Sequence, residues 1–190
     1  MKFLAQFRAA PNLLTMLRLI VVPFLVIEIL DAHYRTAFGL FLVAGISDAF
    51  DGVLARALQQ HTRLGQYLDP IADKLMLSSL FLVLTHVNLV PRFVTVLVFS
   101  RDLGILLISM VLFATGALRD FRPSLLGKLN TLVQIVGVTV VMVEMVWQPA
   151  YIGTVRFVLM RAIAVLAPLS AAHYAWIVFR RLSGPEESGA

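Results

Sequence analysis

The chain has 190 residues, of which 59% are hydrophobic and 14% charged, with a mean hydropathy of +0.88. Ordinary soluble domains are about 45–50% apolar even when Gly is counted, so this composition excludes a typical soluble globule and points to a membrane. The net charge of +5 suits anionic lipid headgroups. No basic run outside short loops argues for nucleic acid, and the lack of cysteine excludes disulfides and thiolate metal sites.

Met1 to Ala10 sets Phe3, Leu4 and Phe7 against Lys2, Gln6 and Arg8, the pattern of a short amphipathic segment lying in the interface. Pro11-Asn12 punctuates, and Leu13 to Leu30 forms a first span in which Pro23 is tolerated as a kink. No small-residue cleavage site follows, so no cleaved signal is expected. Arg18 lies inside this span and requires either snorkelling or a phosphate partner. Asp31 to Arg35 is a polar turn. Thr36 to about Leu58 is the second span, Gln59 to Arg63 a polar loop, and Gln66 to about Thr85 the third span. His86-Val87-Asn88 with Pro91-Arg92 makes the next turn.

Phe93 to Thr115 is the fourth span, with Arg101-Asp102 in its interior, where such a pair is either mutual or functional. Leu118 to Lys128 is the longest polar loop. Leu129 to Trp147 and Ile152 to Arg180 are the fifth and sixth spans, and Ser183 to Ala190 reads as a disordered tail. Each span meets the length of about 20 residues that a bilayer needs. The expected fold is therefore an all-α integral membrane protein of six transmembrane helices. Residues 1–10 are the interfacial segment, 11–182 one membrane domain and 183–190 the tail. Trp147 and Trp176 read as interfacial belt residues and His173 as a packed or interfacial histidine. Glu28 and Glu144 have no partner visible in the sequence.

Six spans place both termini on one side. Lys2, Arg8, Arg56, Arg63, Lys74, Arg119, Arg122, Lys128, Arg180 and Arg181 then share that side, against Arg35, Arg92, Arg156 and Arg161 on the other. The basic excess marks the first side as cytoplasmic.

The stretch from Asp48 to Asp73 falls on that side and carries the chemistry. It reads Asp48-Ala49-Phe50-Asp51-Gly52-Val53-Leu54-Ala55-Arg56, then eight residues, then Gly65-Gln66-Tyr67-Leu68-Asp69-Pro70-Ile71-Ala72-Asp73. A charge in lipid costs ~2.5–3.5 kcal/mol on insertion scales, so four acids between apolar runs imply a bound cation. On a helix Asp48, Asp51 and Ala55 share a face, flanked by Gly52 and Arg56. Asp69 and Asp73 form a second i,i+4 pair, with Pro70 in a first turn and Asp69 as a possible N-cap. Two acid pairs on facing helices make an oxygen-rich pocket suited to magnesium and substrate phosphates, with Arg56 as a phosphate fork. Any one of these acids alone would read equally well as a cap or a solvated face.

The pattern Asp-x2-Asp-Gly-x2-Ala-Arg-x8-Gly-x3-Asp-x3-Asp resembles the signature of the CDP-alcohol phosphotransferases, with every fixed position present. The segment Pro11 to Arg18 resembles the opening of that family's first helix. The resemblance implies a homodimeric membrane enzyme that displaces CMP from a CDP-linked donor with an alcohol. Carried over by position, Asp48, Asp51 and Asp69 hold metal, with Asp73 at a second metal. The cofactor implied is Mg2+ or Mn2+, as two ions. Asp48, Asp51, Gly52, Ala55, Arg56, Gly65 and Asp69 are the nucleotide-binding positions, and Asp73 is the catalytic base.

Arg122 to Gln134 resembles members with glycerol-derived acceptors, namely phosphatidylglycerophosphate synthases and CDP-diacylglycerol-dependent cardiolipin synthases. Ser100-Arg101-Asp102 and His173-Tyr174 look more like the latter. Arg101, Arg119 and Lys128 are the acceptor-phosphate candidates, against a plain reading as topology anchors or an internal pair. The expected activity is phosphatidyl transfer from CDP-diacylglycerol to glycerol-3-phosphate or phosphatidylglycerol, in the bacterial cytoplasmic membrane. Inositol phosphate or serine is an alternative acceptor. An aspartate-rich prenyltransferase fits less well, because both acid pairs here lie within one short stretch. A divalent-cation transporter would leave Gly52, Ala55 and Arg56 unexplained, and neither an internal repeat nor a broken mid-membrane helix is evident.

Cysteines introduced as Ser183→Cys and Ser188→Cys are expected to react with impermeant reagents only from the cytoplasmic side. Labelling from outside overturns the topology.

Overall fold

The computed structural model describes residues 10–58, 63–114 and 125–183, with side chains for 15–48, 72–108, 110–112 and 125–180. Among the described residues there are six helices and no strand. They are α1 (Ala10–Leu30), α2 (Tyr34–Leu58), α3 (Arg63–His86), α4 (Arg92–Ala114), α5 (Leu125–Trp147) and α6 (Ile152–Ser183). The interfacial segment up to residue 9 and the tail from residue 184 lie outside the described residues. Three helices are long and apolar enough to cross a membrane, over Arg92–Leu112, Leu125–Trp147 and Ile152–Arg180. The spans expected over α1, α2 and α3 run partly through residues whose side chains lie outside the described set.

Several boundaries differ from the sequence expectation. Helix α1 already runs from Ala10 through the Pro11-Asn12 expected as punctuation, because proline fits a first helical turn, and α6 ends at Ser183, the first residue of the expected tail. Helix α5 begins at Leu125, inside the stretch expected as loop to Lys128. Leu125, Leu126 and Lys128 are strong helix formers, and one Gly costs only about 1 kcal/mol, so Gly127 does not delay the start. Helix α3 begins at Arg63, so Asp69 lies well inside it and is not an N-cap. Arg63, Leu64 and Gln66 favour a helix upstream of Pro70, whose missing N–H forfeits one backbone bond, a loss that membrane helices accommodate.

The chain divides into two compact units, one of Met1–Leu89 with Val141–Ala150, the other of Val90–Val140 with Tyr151–Ala190. In the first, α1 packs on both α2 and α3. Its buried row is Thr15, Arg18, Val22, Leu25 and Ile29, spaced three or four apart as one helix face requires. Ala37 and Ala44 on α2 and Ala72 on α3 are also buried, and such small residues let membrane helices approach closely. In the second unit α4 packs on α6. There a Cβ added to Gly137 of α5 would lie 2.9 Å from Ile163 Cδ1 and 3.3 Å from Met160 Cε. Gly137 therefore marks a close approach of α5 to α6.

The core is largely apolar, yet it also takes in polar side chains while large apolar ones lie outside. Buried positions include Arg18, Ser47, Thr95, Asn130, Gln134 and Ser170, while Ile20, Phe24, Val96, Leu106, Met110 and Phe157 are exposed. Apolar surface on this scale needs a nonaqueous neighbour. Trp147 is exposed and sets its ring edge-on to Phe38, with centroids 5.0 Å apart.

The helix ends at Leu30, His86 and Trp147 share one device. Ala32, Asn88 and Gln148 take φ of 59°, 61° and 45°. After α1, His33 N–H donates to Glu28 at 2.9 Å and Ala32 N–H to Ile29 at 3.2 Å. After α3, Leu89 N–H donates to Leu84 and Asn88 N–H to Thr85. Both are the paired bonds of a Schellman stop, in which one left-handed residue satisfies the last carbonyls. Alanine is the unusual occupant, because its Cβ is crowded in this conformation, at about 1–2 kcal/mol. Ala32→Gly is accordingly expected to stabilise the fold by about 1 kcal/mol, read as a raised thermal midpoint in detergent. Asn88→Gly should give a smaller gain, because asparagine tolerates the same conformation better.

Candidate active site

The acid segment falls on two helices, as the spacing requires. Asp48, Asp51, Gly52, Ala55 and Arg56 lie in the second half of α2, and Gly65, Asp69 and Asp73 in the first half of α3. The side chains of Asp51, Gly52, Ala55, Arg56, Gly65 and Asp69 lie outside the described set. Those of Asp48 and Asp73 are described, and they meet at Arg18.

Chain direction explains the meeting. Arg18 is eight residues in from the start of α1, Asp48 ten residues back from the end of α2, and Asp73 ten residues in from the start of α3. At 1.5 Å per residue these depths are roughly 12–15 Å, measured from the same end of the first unit. With α1 packed on both neighbours, one side chain from α1 spans the two acids. Arg18 Nη2 lies 2.7 Å from Asp48 Oδ1, and Nη1 donates to Asp73 Oδ1.

The burial is asymmetric. The Arg18 side chain is 0% exposed, whereas those of Asp48 and Asp73 are 48% and 45% exposed. Arginine thus forms the floor of the site, and each carboxylate still presents open surface above it. A buried guanidinium persists only with partners, and removing one partner from a buried pair costs about 3–5 kcal/mol. Neither snorkelling nor a phosphate is needed to account for Arg18. Its role was missed in the sequence, although the signal was present: it is the one basic residue in the first span, at the depth of the acids. Ser47, beside Asp48, bonds its own helix at Val43 O (2.7 Å). Among the described residues no group of three or more His, Asp or Glu side chains converges, and Asp48 and Asp73 are two of the four expected ligands.

The second unit holds a separate polar cluster. Arg101 Nη1 bonds Asp102 Oδ1 at 2.5 Å, and Nη2 donates to Ser170 Oγ at 3.1 Å. The pair expected to be mutual or functional is mutual, and it ties α4 to α6. Lys128 is exposed in the first turn of α5, and Arg119 lies outside the described residues. On α5, Asn130 and Gln134 are buried one turn apart. Among the described residues both side-chain amide atoms of Asn130, and Nε2 of Gln134, have no hydrogen-bond partner. His173 Nδ1 is likewise buried and unpaired among them, in keeping with a packed histidine. Glu28 has a partner after all: Oε2 lies 3.2 Å from His33 Nδ1, across the turn that follows α1.

Comparison with known proteins places this geometry in context. The chain matches the profile described as CDP-alcohol phosphatidyltransferase over residues 8–178. It is 30% identical over 185 residues to a probable phosphatidylglycerophosphate synthase of Mycobacterium tuberculosis, covering 94% of this chain and 86% of that protein. It is 30% identical over 150 residues to the CDP-diacylglycerol–glycerol-3-phosphate 3-phosphatidyltransferase of Bacillus subtilis, covering 70% and 76%. It is 34% identical over 144 residues to the cardiolipin synthase (CMP-forming) of Rattus norvegicus, covering 66% of this chain. The match spans about half the length of that rat protein, 47%.

Arg101 and Asp102 are only 9% and 17% exposed, so Asp102→Ala should strand a buried cation and cost about 3 kcal/mol or more. Ser170→Ala, which removes one bond to a charged group, should cost about 1.5–3 kcal/mol. Thermal unfolding in detergent checks the order. Equal losses would mean that Asp102 does not carry the pair.

Proposed function

The chain belongs to the CDP-alcohol phosphatidyltransferase family, and from that premise we propose that it transfers a phosphatidyl group from CDP-diacylglycerol to a glycerol-derived acceptor, releasing CMP. The observation that carries this reading is the convergence of Asp48 and Asp73, from two helices, on one cation. Acids so arranged, with open surface above them, fit a divalent ion and a diphosphate. The acceptor favoured by coverage is glycerol-3-phosphate, because the mycobacterial relative matches nearly end to end. Phosphatidylglycerol is the second reading, favoured by the greater identity to the rat cardiolipin synthase.

In this reading Asp48, Asp51, Asp69 and Asp73 hold Mg2+ or Mn2+, as two ions, through oxygen ligands such hard cations prefer. When bound, the ions neutralise charge on the attacking and leaving oxygens. The protein's own residues do the rest. Gly52, Ala55 and Gly65 leave room for the nucleotide, and Arg56 forks its phosphate. Asp73 Oδ takes the proton from the acceptor hydroxyl as that oxygen attacks the lipid-linked phosphorus, and the bond to CMP breaks. Lys128, exposed at the start of α5, supplies a positive contact for the acceptor phosphate. Arg119 shares that role, as does Arg101 to the extent that Asp102 and Ser170 release it. Residues 11–182 act as one six-span catalytic domain, as a homodimer in the bacterial cytoplasmic membrane with the site on the cytoplasmic side. The basic-residue asymmetry supports that sidedness.

The test is to incubate the purified protein with CDP-diacylglycerol, magnesium and each acceptor in turn, and to identify the lipid product by mass. Phosphatidylglycerophosphate is expected with glycerol-3-phosphate, and cardiolipin marks the second reading. Full turnover after chelation removes the metal assignment. Asp73→Asn should lower kcat by about 10²–10⁴-fold, the range of general-base catalysis, while donor binding stays near normal. Retention of more than about a tenth of wild-type kcat contradicts Asp73 as base.

A further inference from the structure

We propose that Arg18 is the resident counter-ion of the metal-free site. It holds Asp48 and Asp73 together until a divalent ion takes them, and it competes with that ion for their oxygens. The inference rests on the metal reading above, but its evidence is this chain's own geometry.

Three observations carry it. The guanidinium reaches acids on two different helices, through Nη2 to Asp48 and Nη1 to Asp73. It is fully buried while both acids are about half exposed. It therefore approaches them from below and leaves their outer faces open. It also comes from α1, a third helix that contributes nothing to the stretch from Asp48 to Asp73. Asp48 and Asp73 repel one another when ionised, and a positive group fixed between them offsets the repulsion. The planar fork of arginine suits this bridging, which lysine's single ammonium reproduces poorly.

A counter-ion placed this way has a cost in affinity. A divalent ion arriving at Asp48 and Asp73 must either share their oxygens with Arg18 or draw them away from it, and both carry like-charge repulsion at a few ångströms. Site affinity is thus held below what bare carboxylates would give, and the empty site stays assembled in exchange. A residue with a purely structural role predicts otherwise. Losing it would loosen the site and weaken metal binding.

That difference in sign is the test. Purified full-length wild type and Arg18→Met are titrated with Mn2+ alone, with free Mn2+ followed by electron paramagnetic resonance. Thermal midpoints are measured in EDTA and in saturating Mn2+. Arg18→Met should melt several degrees lower than wild type in EDTA and recover most of the difference in Mn2+. Its Mn2+ affinity should tighten by about tenfold, in line with removal of a like charge close to the ion. Unchanged or weaker Mn2+ binding by Arg18→Met, or an equal thermal loss with and without Mn2+, overturns the proposal. If Arg18→Met does not fold, Arg18→Lys decides: it keeps the charge but grips one acid at a time. Its Mn2+ binding should be about threefold tighter than wild type, and wild-type-like or weaker binding overturns the proposal. A wild type that binds no Mn2+ and shows no thermal response to it defeats the metal reading itself.

Discussion

One ionic contact organises the first unit. Arg18 cannot be buried without carboxylates, and Asp48 and Asp73 cannot stand close together without a cation. Meeting both requirements fixes how α1, α2 and α3 align along their axes. A shift of one helix by one turn, about 5.4 Å, would carry a side chain out of reach and leave a charge unpaired. The ion pairs thus reinforce the register that interdigitated apolar packing already favours. The second unit uses the same logic more modestly, with Arg101 and Asp102 on α4 bonded to Ser170 on α6.

The helices and most of their ends were legible in the sequence, because long apolar runs punctuated by Asp31 to Arg35 and by Asn88 with Pro91 admit few other readings. The acid signature was legible in the same way: fixed spacing on a helix assigns residues to faces without knowledge of packing. Arg18 was not. Its partners lie 30 and 55 residues away, and periodicity says which residues share a helix, never which helices abut. The Glu28–His33 contact was hidden for a related reason. It depends on a left-handed residue at Ala32, where the sequence offers no glycine to announce it. The start of α5 was not legible because the basic residues up to Lys128 suggest a polar loop, whereas Leu125 and Leu126 already favour a helix.

Burial separates residues of equal charge. Arg18 and Arg101 are both inside helices and both paired, yet Arg18 faces two acids with open outer surfaces, whereas Arg101 meets an adjacent aspartate and a serine hydroxyl. The first arrangement leaves carboxylate surface accessible, and the second closes on itself. The acid stretch supplies the carboxylates, and Arg18 at the end of the Pro11 to Arg18 segment supplies the cation beneath them.

The Arg18–Asp48 contact also bears on how the chain enters a bilayer. The two residues lie on consecutive helices joined by a three-residue turn whose N–H groups all donate to the last carbonyls of α1. Asp73 is synthesised later. A lone arginine at that depth would resist transfer into lipid, and so would a lone aspartate. A helical hairpin that pairs them carries no net charge at that level. Were α1 and α2 to span the bilayer, their insertion as a single unit, rather than one helix after another, would be the less costly route. The same contact that aligns the mature helices would then serve the newborn chain first.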